Sequence, residues 1–258
     1  MAAVAVAAVF LYSIASYQQR DNLARQAADR TQCLANLRQI GQAIATYQVW
    51  NRRYPSGTIP NDKIRLDLRA GWGALVYQIG EEGCSGCPAI DPSRPWDDPQ
   101  VVQDSSFRSR KMRCPSGPKL SPATFVVPAC YVGIAGLGPD APGLPVGDRR
   151  AGIFGDDRRV TAADIKDGLA NTMMVADTAH SRGPWFAGGR ATVRGVDPAQ
   201  RPQVGQGRPF GGTHGEGANV LMADGSVRWV RPTPSSAGFE AMSTIAGGEV
   251  AIDPYDSP

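Results

Sequence analysis

Histidine is nearly absent from this chain: His180 and His214 are the only two in 258 residues. With five cysteines beside them, few groups can titrate near neutral pH or bind a soft metal. An excess of one charge is lacking too. The 27 Lys and Arg face 24 Asp and Glu, for a net charge of +3, which excludes the concentrated basic footprint of a nucleic-acid-binding protein. Internal repeats of the solenoid or propeller kind are absent. Proline is missing from the first 54 residues, where Gly41 is the only glycine. Yet 30 glycines and 21 prolines occur overall, about a fifth of the chain against an average of about 12%. Turn formers are therefore concentrated after Tyr54, and the chain divides there. The hydrophobic fraction of 42% is enough for a core and excludes wholesale disorder.

An apolar run long enough to cross a bilayer unaided is also missing. Ala2–Ala15 is apolar apart from Tyr12 and Ser13. As a helix it spans about 21 Å, against a hydrocarbon core of about 30 Å. Extension to Tyr17 narrows the gap and puts Tyr12 and Tyr17 at an interface that suits them. A secretory signal peptide has an apolar region of this length, but no basic residue follows Met1 and no short cleavage motif leads into a loop. The helical pattern continues instead. Leu23, Ala27, Leu34, Leu37, Ile40, Ile44 and Tyr47 recur at helical spacings, with Arg20, Arg25, Asp29, Arg30, Arg38 and Gln39 between them. Ala2–Trp50 thus reads as one helix of about 73 Å. Its first half is left uncovered by a domain of this size and needs lipid or other copies of itself.

After Pro55 the chain changes to short apolar segments between turns. Gly71–Ile79 reads as a short helix with Trp72, Leu75, Val76 and Ile79 on one face. Thr124–Val127 and Cys130–Val132 read as strands broken at Pro128. Gly136–Arg150 and residues 180–211 read as loop, Ile153-Phe154 as a strand, Ala162–Leu169 as a helical turn, and Thr172–Ala176 as a buried strand. The strongest strand signal is Ala218–Ala223 and Ser226–Val230 around Asp224-Gly225, the composition of a two-residue hairpin turn. Alternation of Val227 and Trp229 with Ser226 and Arg228 predicts a sheet with one covered face. The expected fold is α+β: a long N-terminal helix packed on an antiparallel sheet with long Gly/Pro-rich loops. The expected domains are the helix at 1–54, with an apolar segment 1–19 and an amphipathic part 20–54, and a head at 55–258.

Cys84-Ser85-Gly86-Cys87 has the spacing of half a zinc site. Cys114 and Cys130, or His180 or His214, could complete it, but no second C-x2-C or H-x3-5-H pair is present. Gly83 and Pro88 make this segment a loop, unlike a redox motif that opens a helix. In an exported protein, disulfides are the simpler use of cysteine. His214 and Asp224 invite an acid–base or metal reading, but no nucleophile motif, phosphate loop or paired-acid signature accompanies them. The chain therefore reads as a non-enzyme in which His214 bonds loop carbonyls and Asp224 forms the turn. Asp156 with Asp157, and Asp164 with Asp167, are weak calcium candidates without an Asp-x-Asp-x-Asp-Gly loop. No cofactor is expected beyond that calcium option. Trp72, Trp96, Trp185 and Trp229 read as core or loop anchors, with glycan stacking the alternative.

A set of segments in order resembles a known family. Ala24–Gly41 looks like the end of the helix in the prepilin-like family called domain of unknown function 1559. His214 followed by nine residues and Asp224-Gly225 resembles that family's H-X9-DG signature. Pro95-Trp96-Asp97, Arg113-Cys114-Pro115-Ser116, Tyr131-Val132-Gly133, Gly152-Ile153-Phe154, Asp167–Thr172 and Gly247-Gly248-Glu249-Val250 fall between or after them in the family's order.

The resemblance implies an exported type IV pilin- or pseudopilin-like subunit of the cell envelope, anchored by its helix and able to form a surface filament. Its partners would be copies of itself or a lipid bilayer, through Val4, Val6, Val9, Phe10, Leu11 and Ile14. Leu23, Leu34, Leu37, Ile40 and Ile44 would join helix to head. A binding module recognising a glycan or surface protein through the loops is the alternative. The resemblance also implies a Cys33–Cys114 disulfide tying helix to head, with Cys84–Cys87 or a pairing of Cys130 with one of them as further options. The start departs from the pattern, because no acidic residue precedes Asp21 where the family carries a Glu that pairs with a neighbouring subunit's amine.

Overall fold

The computed structural model describes residues 2–80, 90–106, 111–117, 126–180, 183–233 and 236–248. Helix α1 runs from Ala2 to Asn51 without interruption, about 75 Å long. It ends where Arg52 takes a left-handed conformation (φ 55°), the usual stop of a helix, and Pro55 follows. Its buried stripe is Cys33, Asn36, Leu37, Ile40 and Ile44, the i, i+3, i+4 spacing of one helical face. Leu37, Ile40 and Ile44 pack on the head as expected. Leu34 sits half-buried at the rim, because one residue rotates it away from Cys33. Leu23, about 15 Å up the axis from Cys33, is 58% exposed and lines a surface groove with Gln206 and His214 of the head.

Helix α2 (Trp72–Gly80) packs against α1, and α3 (Pro99–Ser106) adds the buried Val101 to the same core. The sheet contains β1 (Tyr131–Leu137), β2 (Met173–Asp177), β3 (Val193–Val196), β4 (Ala218–Met222) and β5 (Val227–Val230), in the order β3-β1-β2-β4-β5. It is mixed, which corrects the antiparallel expectation: β1 pairs with β2 antiparallel but with β3 parallel. The segment after β2 crosses over β1 to deliver β3 to the far edge. Strand β3 was unreadable because Val-Arg-Gly-Val is short and carries a charge. Its Arg194 is buried and donates to Thr178 Oγ1 at 3.1 Å and the Pro209 carbonyl at 2.6 Å. Phe154 belongs to no strand; it packs on Gly133 of β1, where a Cβ would stand 2.7 Å from its ring.

Both sheet faces are covered, which corrects the one-sided reading. Tyr131, Val175, Val193 and Leu221 belong to the core shared with α1 and α2. Val132, Ile134, Ala176, Val220 and Met222 face a second core with Phe210, and Phe239 of α4 (Ala237–Ala241). Gly41 lets α1 lie close on the sheet: a Cβ there would stand 2.9 Å from Leu221 Cδ1. The β4–β5 hairpin forms in the expected place, with Asn219 opposite Trp229 and Leu221 opposite Val227. Its loop is Ala223-Asp224-Gly225, in which only Gly225 has positive φ (85°), the three-residue form with a left-handed glycine. Among the described residues, no helix is long and apolar enough to cross a membrane.

Candidate functional site

Three sheet strands bring polar side chains into one row under α1. Tyr131 of β1 is opposite Asp177 of β2, and Asn219 of β4 donates to Asp177 Oδ2 at 2.7 Å. Beside them on β5, Trp229 carries the Arg30 guanidinium 4.1 Å above its ring. The helix meets this row with Arg30, Cys33 and Asn36, spaced three residues apart along one face. Cys33 Sγ lies 3.2 Å from the Tyr131 hydroxyl and 3.9 Å from Asp177 Oδ2. Asn36 donates to the Tyr131 hydroxyl at 3.3 Å.

Two loops close over this row. The segment around Cys114 is strapped to α1 at both ends: Asn36 donates to the Arg113 carbonyl at 2.8 Å, and Ser116 Oγ to Asp29 Oδ2 at 2.7 Å. The glycine-rich segment at 211–217 is tied to β2 by Gly211 N–H donating to the Asp177 carbonyl at 2.8 Å. Gly211 has φ 73°, and a Cβ there would run into the Gly217 carbonyl at 2.4 Å, so only glycine fits. This loop sets His214 Nε2 3.0 Å from Cys114 Sγ. The Cys33 and Cys114 sulfurs and a His214 ring nitrogen all lie within 4.8 Å of one another.

The electrostatics of the row are those of a dry site. Burial pushes the Asp177 carboxyl up to about 6, against the lowering effect of its bonds from Asn219. The hydrogen bond with Cys114, and then burial, push the Cys33 thiol well above its usual value. Burial does the same to the Tyr131 phenol. Cys33 and Cys114 are buried while His214 is half-buried, and His214 lines a groove with Leu23, Ala27, Arg30, Gln206 and Gly215. The site therefore has a closed, sulfur-bearing floor and one open side.

The other residues singled out in the sequence fall elsewhere. Cys33 and Cys114 meet, but as free thiols and not as the disulfide the resemblance implied. Besides their contact with each other, Cys33 meets the Tyr131 hydroxyl and Cys114 the His214 ring. Cys130 is also a free thiol, buried with its pKa raised to about 11 by desolvation. Cys84 and Cys87 lie outside the described residues, as do the side chains of Val4, Val6, Val9 and Leu11. Phe10 and Ile14 are exposed.

Asp224 does not meet His214. The two lie beyond opposite ends of β4, about 13 Å of strand apart, and Asp224 caps its own turn by accepting from Ser226 N–H at 2.8 Å and Oγ at 2.6 Å. Asp156 and Asp157 lie side by side in another part of the head, where Asp157 has a cationic partner. Arg69 donates to both Asp157 oxygens, at 3.0 and 2.8 Å, and burial raises the Asp156 pKa. Asp164 is engaged in a capping box with Thr161, and Asp167 accepts from Gly247 and Gly248 N–H. Among the tryptophans, Trp72 and Trp185 are core, as expected. Trp96 donates to the Asp67 carbonyl at 2.8 Å and lines a cleft of about 540 Å³ with Arg65, Pro142, Asp156 and Arg190.

This architecture defines an α+β protein in which a long helix and two loops enclose a cysteine–histidine cluster on a mixed sheet. The chain belongs to the family described as protein of unknown function DUF1559, whose profile matches residues 22–195. That match takes in Cys33, Cys114 and Asp177 and stops before His214. No curated protein and no solved structure matches the chain.

Proposed function

We propose that this protein is an exported pilin- or pseudopilin-like subunit of the cell envelope, assembled through the first half of α1. One observation carries the reading: between Phe10 and Arg30 no described residue of the helix is buried. Phe10, Tyr12, Ile14 and Tyr17 are instead exposed on a projecting rod. Helices in proteins gain most of their stability by packing an apolar face, so a rod of this kind is completed by copies of itself or by lipid. The second half of the same helix is fixed in the head, which couples any assembled rod rigidly to the loops displayed outside.

Electron microscopy and sedimentation of the full-length protein test this. Concentration-dependent filaments or bundles, or binding to phospholipid vesicles, are expected. The double variant Phe10→Asp/Ile14→Asp should abolish them with an unchanged melting temperature. A wild-type chain that stays monomeric at high concentration and ignores vesicles overturns the reading.

The cleft beside Trp96 favours a second reading, a surface module that binds glycan or a partner protein. An aromatic ring next to Arg190 and the half-buried Asp156 is suited to a ligand with both apolar and hydroxyl faces. Retention on polysaccharide that is lost in Trp96→Ala would support this use of the head.

A further inference from the structure

Around a tetrahedral zinc ion, bonds of about 2.3 Å to sulfur and about 2.0–2.1 Å to nitrogen place neighbouring donors about 3.6–3.8 Å apart. The donor atoms of Cys33, Cys114 and His214 lie within 4.8 Å of one another, with Cys114 Sγ and His214 Nε2 at 3.0 Å. Changes of about an ångström or less in these separations would seat an ion between them. The donor set, two sulfurs and an imidazole, is the one that selects zinc-class ions over calcium or magnesium.

A second, independent observation points the same way. Asp177 is 1% exposed, and no salt bridge to it is formed among the described residues. Its Oδ2 accepts from Asn219 and lies 3.9 Å from Cys33 Sγ. Its Oδ1 is enclosed with no hydrogen-bond partner. A buried carboxylate with an orphaned oxygen is costly unless a cation compensates it. Arg30 contributes some charge from above Trp229, and the Cys33–Cys114–His214 triangle, with Cys33 Sγ 3.9 Å from Asp177 Oδ2, offers a closer seat for a cation.

The geometry points to a zinc-class metal site with Cys33, Cys114 and His214 as ligands and Asp177 as the buried counter-charge. Three protein ligands leave a fourth position for water or a further donor, and the groove along His214 gives the ion a route in. Binding requires both thiols to lose their protons to solvent, so uptake strengthens as pH rises. A metal here would join α1, the strapped loop at Cys114 and the glycine-rich loop at His214. This inference is independent of the assembly reading, since Cys33 lies on the buried half of α1 and Cys114 and His214 lie in the head, none of them on the exposed rod.

The test uses the full-length protein, reduced and stripped with chelator, then titrated with Zn2+, or with Co2+ as a spectroscopic probe. One equivalent should bind, and Co2+ should show thiolate charge-transfer absorption and the intense visible bands of a tetrahedral site. Cys33→Ser and His214→Ala should each weaken binding at least tenfold, whereas the Cys84→Ser/Cys87→Ser double variant should leave it intact. Zn2+ should raise the melting temperature of the wild type and not of His214→Ala. That substitution is in a half-exposed loop, so it remains informative if Cys33→Ser does not fold. Absence of stoichiometric binding, a Co2+ spectrum without thiolate bands, or dependence on Cys84 and Cys87 instead would each overturn the assignment. So would a Cys33–Cys114 disulfide in the protein as isolated from its native envelope.

Discussion

Helix α1 is one continuous element whose two halves meet different surroundings. From Cys33 to Ile44 it buries a full stripe in the head; from Phe10 to Arg30 no described residue is buried. Both halves are rich in alanine, leucine, glutamine and arginine, good helix formers, so propensity does not separate them. The difference is the neighbour. The second half lies across β4, close enough that Gly41 touches Leu221, and the first half has passed the edge of the sheet. A helical period in sequence therefore reports that a face exists and says nothing about what covers it.

Three substitutions sharpen this contrast, in falling order of effect. Leu37→Ala removes a fully buried side chain and should cost about 2–5 kcal/mol, read as a lower denaturant midpoint of the full-length protein. A loss under about 1 kcal/mol would mean that the second half does not carry the head. Gly41→Ala sets two effects against each other. Helix propensity improves by about 1 kcal/mol, while a Cβ 2.9 Å from the enclosed Leu221 overpacks the interface at about 1–3 kcal/mol. A net loss of about 1 kcal/mol is expected in thermal unfolding, and a gain would show that helix and sheet are less tightly apposed. Leu23→Ala, on the exposed half, should change stability by less than about 0.5 kcal/mol. A larger loss in the monomeric protein would mean that the rod is covered after all.

Much of the frame was legible. The packing residues Leu37, Ile40 and Ile44, helix α2, the buried strand β2 and the β4–β5 hairpin all follow from local period and turn composition. The site was half legible. His214, Cys33 and Cys114 each stood out as rare reactive types, yet their meeting did not, and the pairing implied for the cysteines omitted the imidazole. Asp177 carried no signal, because a polar residue ending a buried strand looks like the start of a turn, and Tyr131 read only as a strand residue. The one clue was Asn36, an amide on the otherwise apolar stripe of α1, which marks a polar surface opposite.

By itself the sequence determined where the helix runs, where the turn-rich head begins and that β2, β4 and β5 are strands. These depend on backbone preference and side-chain period within a few residues. Only the tertiary structure decided that β3 joins the sheet parallel, that both sheet faces are covered, and that the helix is buried from Cys33 onward. It also decided that Tyr131, Asp177 and Asn219 form a row beneath two cysteines and a histidine. The physical reason is register: such neighbours are set by which strands exchange backbone hydrogen bonds, and no local property of distant residues specifies that exchange.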